Sequence, residues 1–84
     1  MKLEDTVEIM NSSNYKDRFV AEYWQLKIRY EKLHDMIVKY NAKKLDFEPN
    51  CPIDVLRRQK NAMAKYLFQL EVRAEIEGID LEVK

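Results

Sequence analysis

Residues that stop a helix or carry chemistry are scarce here: one Gly, two Pro, one Cys, one His and one Trp. A single glycine excludes a glycine-rich phosphate loop, and a single cysteine excludes both an intramolecular disulfide and a multi-cysteine zinc site. With no disulfide to form, a reducing compartment, the cytoplasm, is the expected setting. Gly78, Pro49 and Pro52 must supply nearly all the punctuation, which leaves no room for a fold of short strands and tight turns. No run of about 20 apolar residues exists, so no segment is expected to span a membrane. The first ten residues carry Glu4, Asp5 and Glu8 and have no apolar core, so they do not form a signal peptide.

What is abundant is charge and apolar bulk: 36% charged and 46% hydrophobic residues in 84 positions. That mixture describes amphipathic helices in one small domain, which buries only roughly 60% of its unfolded surface. Fifteen basic and fifteen acidic residues cancel, and a neutral total makes duplex binding unlikely to be the role. The charge is nevertheless uneven. Lys43, Lys44, Arg57, Arg58, Lys60 and Lys65 make residues 43–65 basic, whereas Glu71, Glu75, Glu77, Asp80 and Glu82 make 66–84 acidic. Such polarity suits head-to-tail association or an anionic partner.

The dominant pattern runs from Phe19 to Tyr40. Phe19, Tyr23, Leu26, Tyr30, Leu33, Ile37 and Tyr40 alternate at spacings of four and three, which keeps them on one stripe of a helix. Asn14, with Asp17 in the first turn, offers a helix start, and the spacing predicts a helix over 15–42. Pro52 fits the first position of a second helix, expected over 52–77, with Leu56, Met63, Leu67, Leu70 and Ala74 inward and Gly78 as its stop. Leu45 and Phe47 are expected to fold over the tip between them. The fold class is therefore all-α: an antiparallel two-helix hairpin over 15–79, an N-terminal extension over 1–14, either a short helix or disordered, and a tail over 80–84.

Counting faces adds an oligomer. At 100° per residue Val20, Trp24 and Ile28 lie behind the first stripe, and Phe68, Val72 and Ile76 lie behind the second. Two helices cannot cover both faces of each other, and leaving six such side chains wet exceeds what soluble monomers usually show. Either the segment of Leu3, Val7 and Met10 or further copies of the chain must cover them; ten residues can hardly mask both patches, so these six are the expected interface of a homo-oligomeric helical bundle.

Catalytic chemistry finds little support. Glu31-x-x-His34 has the spacing of a di-iron ligand pair, but Glu31 points away from the stripe and no carboxylates match it on the second helix. Cys51 at a helix start lacks a nearby base. No enzyme activity, metal or cofactor is expected. Three tyrosines, Tyr23, Tyr30 and Tyr40, on a core stripe are unusual, because each buried phenol needs a partner. Either the hydroxyls reach the stripe's edges, or they line a polar aromatic cavity. In that second case Tyr23, Trp24, Lys27, Tyr30, Arg57, Arg58 and Lys65 form a candidate site that stacks a base and neutralises phosphates.

The string Met10-Asn11-Ser12, YKDRFVAEYWQLKIRYEKLHDMIVKY, LDF-x-P-x-CPI and AEIEGIDL resembles a family of small phage and prophage proteins of gut Firmicutes, with relatives in crAss-like phages. The resemblance covers about Met10 to Leu81 and carries no catalytic motif. It implies that Met1–Ile9 is an upstream extension or an alternative start. It also implies a non-structural protein made in the cytoplasm of an infected bacterium, which counters host defence by sequestering a nucleotide messenger or by masking a host defence protein. The alternatives are a structural adaptor with no small-molecule ligand and a weak nucleic-acid binder using Lys43, Lys44, Arg57 and Arg58.

Overall fold

The computed structural model describes residues 1–82. Among them are a 3-10 turn at Leu3–Asp5 and three helices, α1 (Thr6–Met10), α2 (Tyr15–Asn41) and α3 (Ile53–Glu77), with no strand. The all-α class holds, and α1 lies within the span 1–14 read as a short helix or disordered. Of the tail assigned to 80–84, Val83 and Lys84 lie outside the described residues.

Each long helix begins and ends for a local reason. The Asn14 side chain accepts from the Lys16 amide at 2.8 Å, capping α2. Ser12 ties down the same corner by donating to Asp17 at 2.8 Å, and Arg18 donates to the Ser12 carbonyl at 2.9 Å. Both C-termini close in the same way, with an amide reaching back five residues: Lys44 to Lys39 at 2.8 Å and Ile79 to Ala74 at 2.9 Å. That closure needs a left-handed residue, which is Gly78 (φ 67°) in α3 but Lys43 (φ 60°) in α2. Pro52 sits one position earlier than the sequence suggests. It precedes α3, and its carbonyl accepts from Val55 at 3.0 Å.

The cross-links between helices set their direction. Tyr23 donates to Glu71 at 3.0 Å, Arg57 to Asn41 at 2.6 Å and Arg73 to Tyr15 at 2.6 Å, so α2 and α3 run antiparallel. The core lies toward the end that carries the chain termini: Phe19, Tyr23, Leu67, Leu70, Ala74 and Ile79, with Trp24, Leu26 and Leu81 packed against it. Toward the tip the stripe thins out. Ile37 is buried, but Tyr40 and Phe47 are largely exposed, so Phe47 does not close over the tip.

The back of α2 is covered from within the chain. Thr6 is fully buried, donates to the Leu3 carbonyl at 2.6 Å and accepts from Gln25 at 2.9 Å. Ala21, one turn earlier on that face, is 0% exposed, since a methyl group lets the short helix approach closely. On the neighbouring flank the tail crosses Trp24, whose indole N–H donates to the Leu81 carbonyl at 2.7 Å. Val20, Trp24 and Ile28 are accordingly half-buried. Among the described residues nothing does the same for α3: Phe68, Val72 and Ile76 stand 60%, 38% and 79% exposed.

Three substitutions check these contacts. Lys43→Gly is expected to raise stability by about 0.5–1 kcal/mol by removing left-handed strain, and Gly78→Ala to lower it by about 1 kcal/mol. A Cβ at Gly78 meets nothing within 4 Å, so that loss is conformational alone and reads directly in urea midpoints. Trp24→Phe keeps one six-membered ring but loses the pyrrole N–H that bonds Leu81 together with part of the packing, and should cost about 1–3 kcal/mol by the same assay.

Candidate functional site

Along one side of the seam between α2 and α3 the two helices leave a groove of about 280 Å³. Tyr23, Lys27, Tyr30 and Glu31 line it from α2, and Ala64, Leu67 and Glu71 from α3. Its floor is small and apolar because Ala64 and Leu67 lie where the helices touch. Its walls are aromatic because the core stripe places Tyr23 and Tyr30 at spacing seven.

The aromatic groups hold one another in place. Tyr23 and Trp24 meet edge to face with centroids 5.7 Å apart. The Lys27 ammonium lies 4.9 Å from the Trp24 ring centroid and 5.8 Å from that of Tyr23, in reach of both faces. Tyr30 stacks on His34 at 6.0 Å and 19°, and His34 Nδ1 is enclosed with no partner among the described residues. The charge inside the groove is mixed, with Lys27 set against Glu31 and Glu71.

The phenol of Tyr23 registers this setting. Burial, then the hydrogen bond to Glu71, then the negative charges of Glu71 and Glu31, push its pKa up to about 12. The folded chain thus favours the neutral phenol, which can donate.

The other sequence-predicted site residues lie elsewhere. Trp24 supports Lys27 from behind instead of lining the groove. Arg57 shares the groove's face of α3, since Arg57, Lys60 and Ala64 follow one another at spacings of three and four. It sits roughly 10 Å closer to the tip, and its guanidinium bonds Asn41 at 2.6 Å and Asp54 at 3.3 Å. Arg58 and Lys65 project from the outward face of α3, and Arg58 turns back to the Asp54 carbonyl at 3.4 Å. One chain therefore brings together Tyr23, Lys27 and Tyr30, aligns Arg57 with them, and leaves Arg58 and Lys65 apart.

Sequence reasoning missed a second recess at the tip. Tyr40, Asn41, Lys43, Leu45, Phe47 and Glu48 border a cleft of about 490 Å³. Two exposed aromatics beside Lys43 and Lys44 were its available signal. Cys51 lines an adjoining hollow of about 330 Å³ with Tyr40 and Pro52. Among the described residues no three His, Cys, Asp or Glu side chains stand close enough to hold a metal ion, and no helix is long and apolar enough to cross a membrane.

Titration tests the groove's geometry. Followed by phenolate absorbance, the chain should show one tyrosine ionising near pH 12, absent in Tyr23→Phe and shifted down in Glu71→Gln. A raised acid pKa stabilises the fold below the unfolded value of about 10, and that contribution is lost as pH rises toward 12. Stability should fall across pH 10–12, and less steeply in Tyr23→Phe.

Neither curated proteins nor solved structures gave a match to this chain. The model of one protein family, described as Sequestin, matches residues 13–76. The matched span takes in all of α2, the tip and nearly all of α3, including every residue of the groove. On that match over about three quarters of its length, the chain belongs to the Sequestin family.

Proposed function

We propose that this chain is a non-enzymatic accessory protein of a phage or prophage. It acts in the cytoplasm of the host bacterium and counters immunity there by sequestering a nucleotide signal. Membership of a family called Sequestin agrees with a sequestering role. The observation that carries the ligand class is Lys27, held over Trp24 and Tyr23 beside an open groove walled by aromatic rings.

In this reading a base stacks against Tyr30 and Tyr23, which suits any base because every base has a π-face. The Tyr23 O–H is committed to Glu71, so its oxygen accepts, while Glu31 and Glu71 accept from ribose hydroxyls or a base amino group. Two carboxylates disfavour phosphates within the groove itself, so the phosphates extend along the seam toward Lys60 and Arg57. A dinucleotide-sized messenger spans that distance. The binding unit is a self-associated bundle of antiparallel helical hairpins. Binding without turnover needs no acid, base or nucleophile, and the groove supplies only groups that hold.

A second reading has its own observation. The exposed Phe68, Val72 and Ile76 would let the chain mask a host defence protein. A purely structural adaptor would bind phage components only. Weak nucleic-acid binding at the basic tip would show steeply salt-dependent retention.

Thermal unfolding against a panel of cyclic nucleotides and ADP-ribose derivatives separates these readings. At 100-fold excess over Kd a bound ligand adds about 2.7 kcal/mol, which raises Tm by roughly 10 °C or more in a chain this small. Lys27→Ala and Arg57→Ala should abolish most of that rise while leaving the ligand-free Tm within a few degrees. A flat response across the panel contradicts the messenger reading, and co-purification with one host protein supports masking.

A further inference from the structure

Trp24, the one tryptophan, is held by two neighbours on its own helix and by one distant segment. Tyr23 meets it edge to face at 5.7 Å, and the Lys27 ammonium lies 4.9 Å from its centroid. The third hold comes from 57 positions along the chain, where the Leu81 carbonyl accepts the indole N–H at 2.7 Å.

The segment after Gly78 is anchored well enough to impose that contact. Ile79 is buried, its amide reaches back to the Ala74 carbonyl at 2.9 Å, and Leu81 packs against the same core. The Glu82 amide donates to the Asp80 carboxylate at 2.9 Å, a side-chain turn that bends the chain at Leu81, where the indole is met. Beside it lies a hollow of about 410 Å³ bordered by Glu71, Ala74, Ile79 and Leu81. Glu71 is also a wall of the seam groove and accepts from Tyr23, so the segment and the groove are adjacent.

A lysine ammonium on its flexible four-carbon stem has no fixed place of its own. Lys27 has no ion pair among the described residues, so the ring faces of Trp24 and Tyr23 are what hold it beside the groove. The torsion that aims an aromatic ring is broad. Rotation about it swings the indole N–H and tilts the ring face together, and the bond to Leu81 is made at one setting alone. The tail therefore selects the face on which Lys27 rests.

We infer that Ile79–Glu82 is a strap that positions Lys27 at the groove through Trp24, and so sets how tightly the groove holds its ligand. Leu81 and Trp24 are positioning residues in this scheme, and the strap lies outside residues 13–76 that the family match covers. The ligand half of the inference rests on the reading above; the path from strap to Lys27 does not. Coupling is reciprocal, so a ligand gripped by Lys27 tightens the strap by the same factor.

Two variants open the strap. A chain ended after Asp80 loses the Leu81 acceptor, and Asp80→Ala loses the turn bond without touching the core. Methylene protons held over an aromatic face resonate upfield, so proton NMR reads the place of Lys27 directly. The shortened chain should lose most of that upfield displacement and Asp80→Ala part of it, with helical circular dichroism unchanged. Trp24 emission should move to the red in both. With ADP-ribose as the probe, the shortened chain should bind roughly fivefold more weakly or worse, and in a Lys27→Ala background the two lengths should bind alike. A Lys27 displacement that survives in the shortened chain overturns the inference, as does equal affinity of the two lengths. A full chain that binds no nucleotide removes the ligand reading, and the NMR displacement then decides the strap alone.

Discussion

A pair of helices can bury only one stripe of each other, and most of what this molecule does with the rest of its sequence answers that constraint. The stripe of α2 meets that of α3 around Phe19, Tyr23, Leu67, Leu70 and Ala74. Everything behind the stripes has to be covered by something else. For α2 the cover is local and economical: a five-residue helix seated through Thr6 on Gln25, and a tail turned back by Gly78 so that Ile79 and Leu81 reach the core. A helix of five residues has no stability of its own, so α1 exists because α2 offers it a surface. For α3 no such cover exists within residues 1–82, and the outward ridge follows from that asymmetry.

The same constraint shapes the groove. Had the stripe of α2 been leucine throughout, the seam would close dry. Tyrosine at 23 and 30 instead carries hydroxyls that must leave the core at its edge, and Ala64 on α3 leaves room beside them. Lys27, one turn after Tyr23, then has aromatic faces to lie on. The groove is a by-product of choosing phenols for a helix interface, and burial first, then the carboxylates, raise the pKa of the Tyr23 phenol. The proposed holding of a ligand asks of its polar groups only that they bind and orient.

How much of this was legible beforehand differs by feature. Scarcity of glycine and proline with a seven-residue apolar repeat gave the all-α class and placed the ends of α2 and α3 within a residue, because caps and left-handed stops are local physics. Gly78 was readable for that reason. Lys43 was not, since nothing in its neighbours announces a lysine in a glycine's conformation. The docking of α1 was also hidden: it turns on a buried threonine and an alanine, Thr6 and Ala21, neither of which any hydrophobic pattern marks. Of the apolar residues in that segment, Val7 is 55% exposed. Among the candidate site residues, those sharing a helix face with the stripe, Tyr23, Lys27 and Tyr30, came together. Arg58 and Lys65 did not, because charge was grouped by sequence and not by angle around α3.

Among the described residues nothing covers Phe68, Val72 and Ile76, and the proposed self-association answers that exposure. Small-angle scattering reads this most directly, since a lone chain has a Cα radius of gyration of 14.9 Å and extents of 43 × 25 × 20 Å. Self-association predicts a forward intensity of at least two chains and a clearly larger radius at micromolar concentration. A one-chain intensity with a radius near 15 Å, unchanged up to millimolar concentration, would contradict it.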